Sequence, residues 1–295
     1  MAEIDSLRRF LFEGLQVRGE IVRLDAAWQR VLEYQDYPPA VHAVLGEALA
    51  AAVLLASTLK FEGMLTLQLQ GDGPMHLLVA QCTSQGAVRG LAKWEGDDPV
   101  GNLAELTGDA RLAITIERGP GKDRYQGIVP VTGESLADCL DNYFAGSVQV
   151  PTRLWLATGG ARSAGLLLQR LPEAPDLDPE DAEDHWDRLL ALAGTIRDEE
   201  LLELTHRELL GRLFAEDDLR LFAEQPIEFA CSCSRERVAT TLRLLGRGEI
   251  AGLIEERGAV EVRCEFCNRP YRFDAVDAEG LFADTPAADG PPTLH

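Results

Sequence analysis

Four cysteines near the end of the chain are placed to act together. Cys231 and Cys233 form a C-x-C pair, thirty residues follow, and Cys264 and Cys267 form a C-x-x-C pair. Two close thiol pairs can close a tetrahedral four-thiolate site around Zn²⁺ while the segment between them packs as a small lobe. C-x-x-C has the usual chelating spacing; C-x-C is tighter than the common range and alone would be a weak signal. Four buried thiols or two static disulfides are the competing readings. Static disulfides suit an exported protein, and the acidic start Met1-Ala2-Glu3-Ile4-Asp5 leads into no apolar run. An all-sulfur zinc site leaves no open position for water or substrate, so a structural or redox role is expected and an enzyme is not. Oxidation of the thiolates to sulfenic acid or disulfide would destroy the ligand set, so a redox switch needs no further residue.

Little else offers chemistry. Cys82 and Cys139 have no close cysteine neighbour and read as small buried hydrophobes. His42, His76, His185, His206 and His295 form no compact cluster with an acid. Gly119-Pro120-Gly121-Lys122-Asp123 lacks the G-x-x-x-x-G-K-[ST] arrangement of a phosphate loop, which argues against ATP.

The formal net charge of −21 disfavours a broad phosphate-binding surface. It is concentrated in residues 173–228, where eighteen acidic and five basic side chains give −13. Residues 231–273 instead carry eight arginines against six glutamates. Arg235, Arg237, Arg263, Arg269 and Arg272 could partly offset the −2 charge of a four-thiolate zinc centre, although ordinary solubility explains them as well. Residues 48–59 are too short an apolar run to span a membrane and read as a buried helix. A cytoplasmic location is expected.

The elements that must position the cysteines are those of an α+β protein: a large mixed sheet-and-helix core, an acidic helical linker and a small C-terminal four-cysteine zinc domain. The expected boundaries are 1–172 for the core, 173–228 for the linker and 229–283 for the zinc domain, with 284–295 as a flexible tail. Strands are predicted at 8–12, 17–24, 87–93, 112–117, 125–129, 150–157 and 166–171, with a hairpin from 64–70 and 75–80 around Gly71-Asp72-Gly73. Helical spacing of Val41, Val44, Leu45, Ala48, Ala52, Leu55 and Leu59 predicts a core helix over 40–59; shorter helices are predicted at 26–34 and 135–144. In the acidic segment Trp186, Leu189, Leu190 and Ala193 make an apolar stripe, which Leu202, Leu209, Leu210, Leu213 and Phe214 continue through 201–214. Such stripes must cover another apolar surface, as a releasable cover or a permanently packed subdomain. In the zinc lobe Ser234 should cap a helix running to Leu245, a second helix should end near Gly258, and strands should flank Cys264 and Cys267.

Phe229-Ala230-Cys231-Ser232-Cys233-Ser234-Arg235-Glu236-Arg237, Leu245-Gly246 with Glu249-Ile250, and Cys264-Glu265-Phe266-Cys267 with Tyr271-Arg272-Phe273 closely resemble the Hsp33 family of redox-regulated chaperones. The resemblance extends to Gly46-Glu47-Ala48-Leu49-Ala50-Ala51-Ala52, Thr58-Leu59-Lys60-Phe61-Glu62-Gly63 and Gln70-Gly71-Asp72-Gly73-Pro74. It implies a reduced, largely inactive form holding one Zn²⁺ per chain through Cys231, Cys233, Cys264 and Cys267. It further implies that oxidation pairs the nearest cysteines, Cys231 with Cys233 and Cys264 with Cys267, releases zinc and loosens the linker. The oxidised form would be an ATP-independent holdase, often dimeric, for unfolding client proteins, with Trp186, Leu190 and Phe214 as candidate lid or client-contact residues. Ser147-Val148-Gln149 and Gln35 depart from the family's pattern, away from the cysteines. A zinc ribbon binding nucleic acid and a thiol–disulfide oxidoreductase using Cys264 and Cys267 are the alternatives; the first lacks an aromatic and basic platform.

Overall fold

A computed structural model describes residues 5–119, 124–172 and 179–282, with side chains in the last stretch from residue 182 onward. The expected tail at 284–295 and most of the loop at 119–123 lie outside these residues. The chain divides into two compact units after Ala230.

The first unit opens with a hairpin of β1 (Ser6–Phe12) and β2 (Val17–Leu24), then α1 (Ala26–Leu32) and α2 (Pro39–Thr58). Pro39 starts α2, where its missing N–H costs nothing. β3 (Met64–Gln70) and β4 (Met75–Thr83) form the hairpin the alternation predicts, and β5 (Ala87–Trp94) extends it. Next come α3 (Leu103–Thr107), β6 (Arg111–Glu117), β7 (Tyr125–Pro130) and α4 (Leu136–Tyr143), the last capped by Ser135. A π-helical turn, Phe144–Val148, leads through left-handed Gln149 towards β8 (Thr152–Gly159) and β9 (Arg162–Arg170).

The acidic segment supplies α5 (Pro179–Ala193), α6 (Asp198–Glu203) and α7 (His206–Leu213). The helical run expected over 201–214 is therefore two helices. Thr205 caps the second, its hydroxyl accepting from Glu208 N–H while the Glu208 carboxylate reaches back, and α6 ends two residues earlier at Glu203. Three short strands follow: β10 (Leu219–Leu221), β11 (Gln225–Pro226) and β12 (Glu228–Phe229).

Two six-stranded sheets result. One has the order β10-β1-β2-β9-β8, with β11 also on β1; the other is β12-β5-β4-β3-β6-β7. α2 lies against both, and for this reason it is buried nearly all round, from Ala48 through Ala56 without a break. It is long and apolar enough to cross a membrane by composition, yet most of it is buried in this core. The helices of the acidic segment cover the other face of the first sheet. Trp186, Leu189, Ala193, Leu201, Leu209, Leu210, Leu213 and Phe214 are buried there with Phe10, Phe12, Val17, Ile21, Leu166 and Leu168.

The second unit has α8 (Arg235–Leu245), α9 (Arg247–Arg257), the antiparallel pair β13 (Val260–Arg263) and β14 (Pro270–Phe273), and α10 (Ala275–Leu281). Ser234 caps α8 through Arg237 N–H. α10 was not foreseen, although Asp274 and Asp277 form a capping box at its start.

Candidate metal centre

The four cysteines come from two places in the second unit. Cys231 and Cys233 sit in extended chain just before α8, while Cys264 and Cys267 lie in the turn joining β13 to β14. That turn is closed by Cys264 N–H donating to Arg269 O (3.0 Å) and Asn268 N–H donating to Cys264 O (2.7 Å). Asn268, at φ 50°, takes the left-handed conformation the reversal needs, one that asparagine tolerates better than most residues.

All four Sγ atoms lie within 4.8 Å of one another. Cys231 meets Cys264 at 3.6 Å and Cys233 meets Cys267 at 3.3 Å, so the closest contacts cross between the two halves of the cluster. Tyr271 on β14 donates its hydroxyl to Cys233 Sγ at 3.1 Å. Burial opposes ionisation at Cys233, but hydrogen bonds from Tyr271 and the neighbouring thiols overcome it and bring the thiol to about 7. Burial and the adjoining sulfurs push Cys267 up to about 12; Cys264 is raised as well, chiefly by burial. Four thiolates this close repel one another unless a cation stands between them. A donor set of four sulfurs, each half-buried, fits zinc.

The arginines divide their work differently from the charge-balancing expectation. Arg235 lies over the Phe273 ring (4.2 Å to its centroid), donates to Arg272 O and pairs with Asp277, so it ties α8 to β14 and α10. Arg237 donates to Ser232 Oγ. Arg269 feels the charge of Cys233 and Cys267 and bonds Tyr271. Beneath the cysteines the core is small, with seven buried apolar side chains among the described residues. A unit of that size needs a cross-link to stay folded.

The remaining thiols stand apart from this chemistry. Cys82 and Cys139 are buried in the first unit, and burial pushes the former up to about 12. Inert packing follows.

Of the candidate lid residues, Trp186 and Phe214 are buried against the first sheet and Leu190 is partly so. Phe214 stacks edge-on with Phe12 at 4.9 Å. Phe10 and Phe12 on β1, which receive these side chains, carry no signal of that role in the sequence, because two alternate aromatics in a strand look like any half-buried strand. Arg23, buried on β2, donates to the carbonyl of Leu204 between α6 and α7.

A family model described as Hsp33 protein matches residues 5–274. The chain belongs to the Hsp33 family. It is 48% identical over 291 residues to the 33 kDa chaperonin of Nitrosococcus oceani, covering 99% of each chain. It is 46% identical over 292 residues to that of Methylobacillus flagellatus, again with 99% of each covered. The fold matches a crystal structure of the 33 kDa chaperonin (heat shock protein 33 homolog) from Thermotoga maritima, with TM-score 0.81, 24% identity, and 95% of this chain and 98% of that one covered. As an Hsp33 protein the chain is a redox-regulated stress chaperone with a metal-binding, redox-active cysteine cluster, and not an enzyme.

Proposed function

We propose that this Hsp33 chain is an ATP-independent holdase, inactive while its cysteine cluster is reduced and active once the cluster is oxidised. The observation that carries the reading is the convergence of four sulfurs from residues 33 and 34 positions apart onto one site over a core too small to stand alone. Cys231, Cys233, Cys264 and Cys267 would hold one Zn²⁺. When bound, the ion would cross-link the two halves and supply apparent folding free energy on the order of 10–16 kcal/mol.

Peroxide turns one thiolate of a pair into a sulfenic acid, releasing hydroxide. The partner thiol then displaces water to form the disulfide, so each pair gives up two electrons. The assigned pairs are Cys231–Cys233 and Cys264–Cys267. Although the shortest contacts in the compact cluster run across the halves, loosening of the unit leaves neighbours in the chain as the cheapest loops to close. With the thiolates gone, the second unit loses its cross-link.

In the same reading residues 1–172 are the core, 173–228 the linker and 229–283 the switch domain. Release of the linker would uncover Trp186, Leu190 and Phe214, together with the sheet they cover, to clients. Activation would be accompanied by homodimerisation in the cytoplasm, with neither ATP nor nucleic acid taking part.

The test measures zinc release and aggregation suppression on one peroxide-treated sample under mildly unfolding conditions. About one zinc per chain should leave as suppression appears, and thiol reductant with zinc should reverse both. Zinc release without suppression would overturn the proposal, and peptide mapping of the disulfides decides the pairing.

A further inference from the structure

Residues 219–229 form a strap along open strand edges. β10 and β11 pair antiparallel with β1, then β12 pairs parallel with β5. The last main-chain bond of the strap, Ala230 N–H to Val88 O at 3.1 Å, lies one residue before Cys231. Main-chain bonds run along the attachment, beside the Arg8–Glu224 and Arg220–Glu13 ion pairs: Asp5 O and Arg9 O accept from Ile227 and Phe222, and Glu13 N–H donates to Asp218 O. Odd-numbered residues of β1 therefore turn their peptide groups towards the strap, and even-numbered ones towards β2. Leu219 and Leu221, two apart, are the strap's side chains on the Phe10–Phe12 face. Over Gly86, at φ 87°, the strap passes so close that a Cβ there would meet Pro226 O at 2.7 Å. Phe222 is 43% exposed and Pro226 is exposed, whereas Leu219 and Leu221 are partly buried and Ile227 is buried where the strap leaves β1.

We propose that the outer edge of β1 is a strand-docking site for extended segments of unfolding polypeptides, and that residues 219–226 occupy it in the closed form. The proposal rests on the chaperone reading and adds the mode of capture. Any unfolded chain can supply the main-chain partners, so an edge that selects by backbone suits clients sharing no sequence. The pattern of the strap sets the preference: apolar residues two apart, placed where Leu219 and Leu221 now sit on Phe10 and Phe12. The strap begins to lift from the end nearest Cys231 once the second unit loosens, and β1 is freed in turn.

The test uses the full-length oxidised protein and, as client, carboxymethylated α-lactalbumin, which cannot refold. Amide exchange resolved by residue should show Leu11 fast in the oxidised protein alone and at least tenfold slower with client, while Phe10 and Phe12 stay protected throughout. Leu11→Pro, which deletes an outward N–H and spares the bonds to β2, should weaken client binding about fivefold to tenfold, the worth of one main-chain hydrogen bond. Leu11→Ala, which keeps that N–H, should bind as the parent does. Fast exchange at Leu11 in the client complex would overturn the proposal, as would its continued protection in the oxidised protein alone. Protection that grows with protein concentration without client would assign the edge to a second copy and overturn it too. Failure of the oxidised protein to bind client at all would instead sink the chaperone reading.

Discussion

Tyr271 approaches the cysteine cluster from β14, and its hydroxyl donates to Cys233 Sγ from outside the cluster. Groups that orient metal ligands from behind typically govern affinity by one to two orders of magnitude. Tyr271→Phe should lower zinc affinity about tenfold, measured by competition with a chromophoric chelator, and leave the fold of the loaded protein unchanged. In the acidic segment, His206 is buried at the start of α7. Burial, with the cation of Arg23 beside it and Arg8 further off, holds its imidazole down to about 4 despite the opposing charge of Glu224. A released lid would let His206 titrate near its ordinary value of about 6.5. Docking is thus at full strength above that pH and weakens as pH falls towards 4, because only the released form takes up the proton. The Trp186 contribution to fluorescence, taken as the difference from Trp186→Phe, should shift towards a solvated signal over that interval; in His206→Leu the shift should vanish. The cysteines were legible from spacing alone. Tyr271 and His206 were not, since what defines them is a partner brought close by folding from elsewhere in the chain.

At the scale of elements, the helices of the acidic segment and the first sheet share one apolar cluster, closed at its rim by Arg188–Asp217, Arg170–Glu183 and Arg162–Glu203 ion pairs. Each of these pairs keeps one well-exposed partner, Arg188, Glu183 or Glu203, so each contributes little and the buried side chains decide whether these helices stay docked. Removal of Phe214, 2% exposed between Phe10 and Phe12, should cost about 3–5 kcal/mol of docking. Phe214→Ala should therefore suppress aggregation while still reduced and zinc-loaded, as light scattering of a heat-unfolding client will show; dependence on oxidant equal to the parent's would contradict the lid assignment. Helices with a strong stripe or a cap, such as those begun by Ser135 and Ser234, could be read from the sequence. β11 and β12 could not. Two residues hold no periodicity, and they are strands only because β1 and β5 offer an edge.

For the whole molecule, the two units differ in what holds them. The first has clusters on both faces of one sheet and around α2; the second has, among the described residues, a cluster of seven buried apolar side chains and its cysteines. Chelation of zinc under reducing conditions should abolish amide protection in residues 235–281 while β2, β3, β4 and β9 keep theirs, and added zinc should restore it. Simultaneous loss in both units would show that the first depends on the metal as well. The α+β class was legible in the alternation of strand and helix patterns. The division into two sheets around one helix was not, because the alanine-rich pattern of α2 marks close packing without naming what packs.

Arg8 and Glu224 pair across 216 positions of sequence, and β1 is translated long before β10 and β11 can reach it. At ribosomal speeds of roughly 5–20 residues per second, that interval is on the order of 10–40 s. While it lasts, β1 finds β2 at once on one side and has no native neighbour on the other. The nascent chain thus passes through synthesis exposed to the same kind of mispairing that threatens other newly made or heat-damaged proteins.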